Sequence, residues 1–332
     1  MKKKTLLILI ITLVMISILL TTSIFAEQKK QFKVVLVTGI ATNPFFITMD
    51  AGARTAAKEL GIDYEYQGPP TYNHVEQLTL LRGIVARGDI DGIIISPCDG
   101  DASIEPLTEI WQKLGIPILC TDTTVGENDI EGLPLITVTS DNFTGGKIAG
   151  ETLAKLIGGK GKVAVFRSSA QLTTDRARYD GFMEAISKFP DIKLVAEEFA
   201  EEQTSVAATQ VQTIISAHPD LAGVFGLTTP VSHGVAIGVD VMGMKGKIAV
   251  VGFDAQPAQA QDVRDGITQS LIAQAPYMMG YLGMQLMNDY LLGFIDSYPP
   301  TILTGFKIIT KENVDDPDVQ SWLYREKFLT FD

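Results

Sequence analysis

Short runs of branched apolar residues alternate along this chain with longer amphipathic stretches, and the alternation runs through once and then starts again. Phe32 to Val37 (FKVVLV), Gly92 to Ser96 (GIIIS) and Ile116 to Cys120 (IPILC) are continuously apolar enough to need cover on both faces, as buried parallel strands do. Between them, Phe45 to Leu60 and Val75 to Arg87 carry apolar residues at helical spacing. The series then repeats. Strands are expected at Lys162–Phe166, Leu194–Glu197, Gly223–Phe225 and Lys247–Val251, with helices at Asp175–Lys188, Ser205–Ala217 and Ser232–Met242. One open sheet of about ten strands would usually split. The pattern therefore predicts an α/β fold of two similar doubly wound parallel-sheet lobes. A late helix, Tyr277 to Leu292, follows the second series and is placed to pack back on the first lobe.

The first residues read differently. Lys2, Lys3 and Lys4 precede an apolar run from Leu6 to Leu20, and small and polar residues then lead to Ala26. This order is that of a secretory signal, 1–26, cut before Glu27; an uncleaved membrane anchor is the alternative. No cysteine lies near the expected cut, so a lipoprotein anchor is excluded. Without those three lysines the basic count falls from 27 to 24 against 39 acidic residues, a formal charge of about −15. That balance, with no block of Lys and Arg, argues against a nucleic-acid or anionic-lipid partner. Cys98 and Cys120 end neighbouring strands, and either a disulfide or two buried thiols fits the sequence.

In doubly wound sheets, ligands bind outside the carboxyl ends of the strands. That rule selects Thr38–Phe46, Pro97–Asp101 and Thr121–Thr123 in the first lobe. In the second it selects Arg167–Arg176, Leu227–Pro230 and Phe253–Asp254. Asn43 and Pro44 suit a helix N-terminus, while the adjacent rings of Phe45 and Phe46 offer one face to the core and one to a cleft. Asp122 and Asp254 each follow a buried strand, where a carboxylate accepts two hydroxyl hydrogen bonds. Arg176 supplies donors from the second lobe. These groups suit a polyhydroxylated solute: rings for its C–H surface, fixed polar groups for its hydroxyls.

Catalytic signatures are missing. His74, His218 and His233 are far apart in sequence and lack metal-ligand spacing. There is no GxSxG, GxGxxG or Walker sequence, and Gly158, Gly159 and Gly161 serve a turn rather than a phosphate loop. A binding protein without metal or cofactor is expected, not an enzyme.

Several fragments, taken in order, resemble the ribose-type periplasmic binding proteins of sugar ABC importers. They are Asn43-Pro44-Phe45-Phe46, Ser140-Asp141-Asn142 with Gly145 to Gly150, and Asp175-Arg176 before Gly181-Phe182. Ala217-His218-Pro219-Asp220, Val251-Gly252-Phe253-Asp254, and Gln274 before Pro276-Tyr277 and Gly280 complete the set. The resemblance implies a three-segment hinge near Ser140, Gln274 and Thr304. It divides the chain into 33–140 plus 275–303 and 141–274 plus 304–332, with the ligand cleft between. It implies that Asn43, Phe45, Phe46 and Asp122 line one side, Arg176, Phe253 and Asp254 the other, and Gln274 the hinge edge. It also implies a monomer that delivers cargo to an ABC permease, working in the periplasm or at the extracytoplasmic surface.

Thr123 and Thr228 are further candidate contacts, standing where ribose binders carry arginine and asparagine; an ungapped count puts Glu202 where they carry an aromatic. These departures point away from ribose and towards another pentose, a hexose or a sugar alcohol. Gly61 to Pro69 and the tail after Phe306 resemble the rhamnose and quorum-signal receptors, but the signal-binding lysine of that branch falls at Gly39 and its Asp-Gln pair at Asp175-Arg176. A furanose signal, or a sensory role beside a chemoreceptor or histidine kinase, is the alternative. Sugar-responsive repressors share the core but need a helix-turn-helix where this chain has its export signal.

Overall fold

The computed structural model describes residues 31–125, 136–170, 172–295 and 301–330; the expected signal, 1–26, lies outside them. Two six-stranded sheets form. The first contains β1 (Lys33–Val37), β2 (Asp63–Gln67), β3 (Gly92–Ile95), β4 (Ile118–Thr121), β5 (Thr137–Ser140) and β11 (Thr301–Thr304), in the order β2-β1-β3-β4-β5-β11, all parallel. The second contains β6 (Lys160–Arg167), β7 (Asp191–Phe199), β8 (Leu221–Gly226), β9 (Ala249–Phe253), β10 (Ser270–Ala273) and β12 (Lys307–Ile309). Its order is β7-β6-β8-β9-β10-β12, with only the last pair antiparallel. The first five strands of each sheet thus repeat one doubly wound order.

The continuous apolar runs follow from burial on both faces. Val34 and Leu36 join one core cluster and Val35 and Val37 another on the opposite side of the sheet. Val163 and Val165 face away from Ala164 and Phe166 in the same manner. β2 (DYEYQ) is an edge strand with no fully buried residue, and β5 and β11 are four-residue strands rich in threonine. None carries the apolar run that marks the others.

The chain passes between the sheets after Ser140, after Ala273 and after Thr304. Two helices that follow such crossings pack on the first helix of the lobe they enter. α4 (Asn142–Leu156) lies against α5 (Thr173–Ile186), and α9 (Pro276–Leu291) against α1 (Pro44–Leu60). Both pairs interlock through glycines. A Cβ on Gly181 would stand 1.9 Å from the Phe143 carbonyl oxygen, and one on Gly146 1.9 Å from that of Arg178. The equivalent distances are 2.0 Å from Gly280 to Met49 and 1.9 Å from Gly52 to Tyr277.

The tail after β12 belongs to both lobes. Tyr324 donates its N–H to the Ala255 carbonyl at 3.0 Å, while Arg325 N–H reaches Thr48 Oγ1 on α1 at 2.6 Å and Phe328 meets the Tyr66 ring. The segment 304–332, expected with the second lobe, thus also touches the first through the Tyr324 ring on Phe45, Arg325 and Phe328. Both cysteines are free and buried, which decides between the two readings of the sequence. Cys98 Sγ donates to the Gly39 carbonyl at 3.3 Å.

Candidate functional site

The carboxyl ends of the two sheets face one another across a cavity of about 440 Å³, its open mouth included. Asn43 caps α1, its side-chain oxygen accepting the Phe45 N–H at 2.9 Å, and Pro44 opens the helix. This places Phe45 and Phe46 side by side, edge to face at 5.3 Å, and both line the cavity. Tyr72 joins them from the loop before α2 (His74–Ala86). Gly39 makes room for it: a Cβ there would lie 2.5 Å from the Tyr72 ring. The position that corresponds to the signal-binding lysine thus has no room for a side chain while Tyr72 holds its place.

Asp122 leaves β4 with φ +64°, and Asp254 leaves β9 with φ +75°. Asp122 accepts from the Thr123 hydroxyl at 3.3 Å. Burial pushes its carboxyl up to about 7; Arg178 pulls in the opposite direction and Asp254 adds to the rise. Asp254 is held by three neighbours. Its Oδ1 accepts from Gln274 Nε2 at 2.7 Å and the Tyr324 hydroxyl at 3.0 Å, and its Oδ2 from Thr229 Oγ1 at 2.7 Å.

Of the ten candidate residues, the fold gathers seven around the cavity: Asn43, Phe45, Phe46, Asp122, Thr228, Asp254 and Gln274. Three lie elsewhere. Thr123 is buried behind Asp122. Phe253 is fully buried beneath the Arg178 guanidinium, whose carbon is 3.9 Å from its ring centroid. Arg176 is half exposed and donates to Asp101 at 3.2 Å across the rim.

The arginine in the cavity is Arg178, 3 % exposed. Its Nε donates to Asn142 Oδ1 at 2.8 Å and its Nη1 to the Leu227 carbonyl at 2.7 Å. The sequence carried a signal for it. On α5, Thr174, Arg178, Gly181, Phe182 and Ala185 make one buried stripe at helical spacing, and Arg176 falls off that stripe. Tyr72, Leu172, Thr174, Glu202 and Thr229 also line the cavity.

Several buried polar atoms lack a partner within the described protein: Thr228 Oγ1, Gln274 Oε1 and Asp175 Oδ1. Two of these belong to cavity-lining residues, where a solute's hydroxyls could satisfy them. Among the described residues no cluster of His, Cys, Asp and Glu could hold a metal ion, and no helix is long and apolar enough to cross a membrane.

Two doubly wound lobes with a shared polar cleft at their strand ends define the class of two-lobe solute-binding proteins. Residues 34–293 match the model of the periplasmic binding protein domain, and this chain belongs to that family. It is 28% identical over 277 residues to the ribose import binding protein of Salmonella typhimurium, covering 83% of this chain and 90% of the relative. The D-allose-binding periplasmic protein of Escherichia coli is 28% identical over 279 residues, with 83% and 88% covered. Among solved structures, an ABC transporter solute-binding protein from Agrobacterium vitis bound with α-D-tagatopyranose superposes with a TM-score of 0.85 at 36% identity, over 89% of this chain and 100% of that one. The glucose-galactose binding protein of Geobacillus stearothermophilus gives 0.79 at 30% identity, over 86% and 100%. These relatives are binding proteins.

Proposed function

We propose that this chain is an exported, extracytoplasmic solute-binding protein that captures one small sugar or polyol between its lobes and delivers it to an ABC importer. The observation that carries this reading is the single cavity in which rings, carboxylates and one arginine from the ends of both sheets converge. Such a set matches the chemistry of a sugar ring: C–H surface for Phe45, Phe46 and Tyr72, hydroxyl donors for Asp122 and Gln274 Oε1, and oxygen acceptors for Arg178. The binding of sugars by relatives that align over nearly the whole length supports the same class of cargo.

Cargo that touches both walls only when the lobes are together shifts the open–closed equilibrium towards closure. The lobes in this reading are 33–140 with 275–303, and 141–274 with 304–332; the three crossings form the hinge. Closure gives a permease a surface that the empty protein lacks. The protein acts as a monomer, and it retains its cargo unchanged rather than turning it over. Micromolar affinity would correspond to about −8 kcal/mol.

A thermal-shift screen of ligand-free protein from Glu27 onward against pentoses, hexoses and polyols tests the reading. A ligand that binds only the native state raises the melting temperature by mass action. Selective rises with one or a few sugars, recovered unchanged afterwards, are the expected result. A panel without any rise would overturn the assignment.

A further inference from the structure

The cavity has two unlike walls. The first lobe contributes all three of the cavity's rings, Phe45, Phe46 and Tyr72, with Asn43 and Asp122 beside them. The second contributes Arg178, Glu202, Asp254 and three threonines, and among the described residues no ring lines that side. Phe253, the aromatic that the sequence put there, is covered by Arg178. A solute held between such walls meets aromatic faces on one side only, and on the other a wall made of hydrogen-bonding groups without a ring.

Glu202 stands at the centre of this asymmetry. It lies in the turn between β7 and α6 (Thr204–Ala217). Glu201 and Glu202 both have left-handed backbones, with φ of +49° and +57°. Two successive non-glycine residues in that region persist only where the surroundings hold them, and such strain gathers at functional sites. Here the turn is held by Ala200 N–H on the Arg167 carbonyl at 2.8 Å and Glu201 N–H on the Ser168 carbonyl at 2.9 Å. Glu202 is partly buried, with its side chain lining the cavity. Asp175 of α5 and Asp254 after β9 repel its charge, Tyr72 faces it from the first lobe, and the Ser168 and Thr228 hydroxyls lie beside it. Burial, foremost, pushes it up to about 7.

Ring stereochemistry distinguishes what can satisfy both walls. A pyranose or cyclitol with every hydroxyl equatorial shows C–H surface on both faces and suits a site with rings on both sides. A ring with axial hydroxyls has one barer face and one hydroxylated face. On the basis of the sugar-binding function proposed above, we propose that Glu202 sets the specificity of the cleft. It accepts hydrogen bonds from hydroxyls gathered on one face of the cargo, the opposite face lying on Phe45, Phe46 and Tyr72, and so selects rings with axial hydroxyls over all-equatorial ones.

Calorimetric titration of the ligand-free full-length mature protein with D-allose, D-galactose and D-glucose tests this, repeated on Glu202→Gln and Glu202→Ala. Allose and galactose each differ from glucose by one hydroxyl turned axial. At least one of them is expected to bind ten-fold or more tightly than glucose. That ratio is expected to shrink at least five-fold in Glu202→Ala and less in Glu202→Gln, which keeps a carbonyl acceptor. Proton release on binding near pH 7, read from titrations in two buffers, is expected in the wild type and diminished in both variants. Glucose binding as tightly as both epimers, or a preference unchanged by either substitution, would overturn the role of Glu202 while leaving sugar capture intact. Failure of the wild type to bind any sugar or cyclitol would overturn both. Should Glu202→Ala not fold, the wild-type ratio and Glu202→Gln decide the question.

Discussion

The two lobes repeat one strand order, and Asp122 and Asp254 each leave the fourth strand of their lobe in a left-handed conformation. Their surroundings differ. Asp254 receives hydrogen bonds from Thr229, Gln274 and Tyr324, so both oxygens are committed to the scaffold. Asp122 receives one long bond from its neighbour Thr123 and otherwise faces the cavity, its carboxyl held near 7 by burial. Topology delivers a carboxylate to the same place twice, and the packing around it decides whether it serves structure or cargo. The contrast predicts that Asp254 braces the hinge, with Gln274 and the tail, while Asp122 contacts the cargo.

Arg178 tests that division most severely, because it is the cavity's cation and lies close enough to Asp122 to pull its carboxyl down. Replacing it with Ala leaves Asn142 Oδ1 and the Leu227 carbonyl without their donor and exposes the Phe253 ring. Loss of the charge-assisted hydrogen bonds that Arg178 would give to cargo oxygens, each worth about 1.5–3 kcal/mol, is expected to remove about 3 kcal/mol of binding. Sugar affinity is expected to fall by about 100-fold or more, since each 1.4 kcal/mol is ten-fold. Arg176→Ala, removing a half-exposed rim pair with Asp101, is expected to change affinity by no more than about 0.5 kcal/mol. Titration of the two variants side by side would expose a reversed order, which would sink the assignment of Arg178.

The contrast between these arginines also shows what the sequence could and could not reveal. Buried parallel strands announce themselves because apolar residues must cover both faces, so FKVVLV, KVAVF and KIAVV were legible. Strand-end positions followed from topology, which is why Asn43, Asp122 and Asp254 could be found without coordinates. Edge strands such as β2 bury little and left no such mark. Arg176 stands both in a strand-end loop and in the Asp175-Arg176 motif, whereas the helical stripe through Thr174, Arg178 and Phe182 places the buried face two residues further on. Glu202 and Tyr324 enter through a strained turn and a tail that crosses between lobes, and neither has a periodic signature.

The glycine interlocks sharpen the comparison at the level of packing. Gly181→Ala and Gly280→Ala would each drive a methyl against a backbone carbonyl that cannot rotate away. Separating the helices is expected to cost about 1–3 kcal/mol of stability in each lobe. Denaturant unfolding of both variants checks this. A Gly280→Ala protein as stable as the wild type beside a destabilised Gly181→Ala protein would mean that the lobes share strand order but not helix packing.

Tyr324 separates bracing from binding at a smaller scale. Its hydroxyl donates to Asp254 and accepts the Gln274 N–H at 3.2 Å, while its ring packs edge-on to Phe45 at 5.6 Å. Tyr324→Phe removes the hydroxyl and keeps the ring. A loss of about 1 kcal/mol in stability is expected, the usual worth of one hydrogen bond. If Asp254 is a brace, the loss appears in the melting temperature of the unliganded protein. If it appears only in affinity, Asp254 belongs with Asp122 as a cargo ligand.

The last expected effect is a pH dependence. Asp122 and Glu202 are pushed up to about 7, from about 3.9 and 4.3 in an unfolded chain. Below about pH 4 both states hold these protons. As pH rises, the unfolded chain releases them first while the folded protein keeps them, so their stabilising contribution is lost as pH climbs towards and through 7. The melting temperature of the unliganded wild type is therefore expected to fall between pH 5 and 8 relative to Asp122→Asn and Glu202→Gln, which lack these protons. Surface carboxylates held low by basic partners, such as Glu65 beside Arg87 and Asp89 beside Lys33, stay ionised across this interval and lose their contribution only at lower pH, equally in all three proteins. Cargo hydroxyls donating to the ionised carboxylates lower their proton affinity, so binding should tighten across the same interval. Parallel melting curves for wild type and Asp122→Asn would place its carboxyl in water, and the difference between the two aspartates would then lie only in their hydrogen bonds.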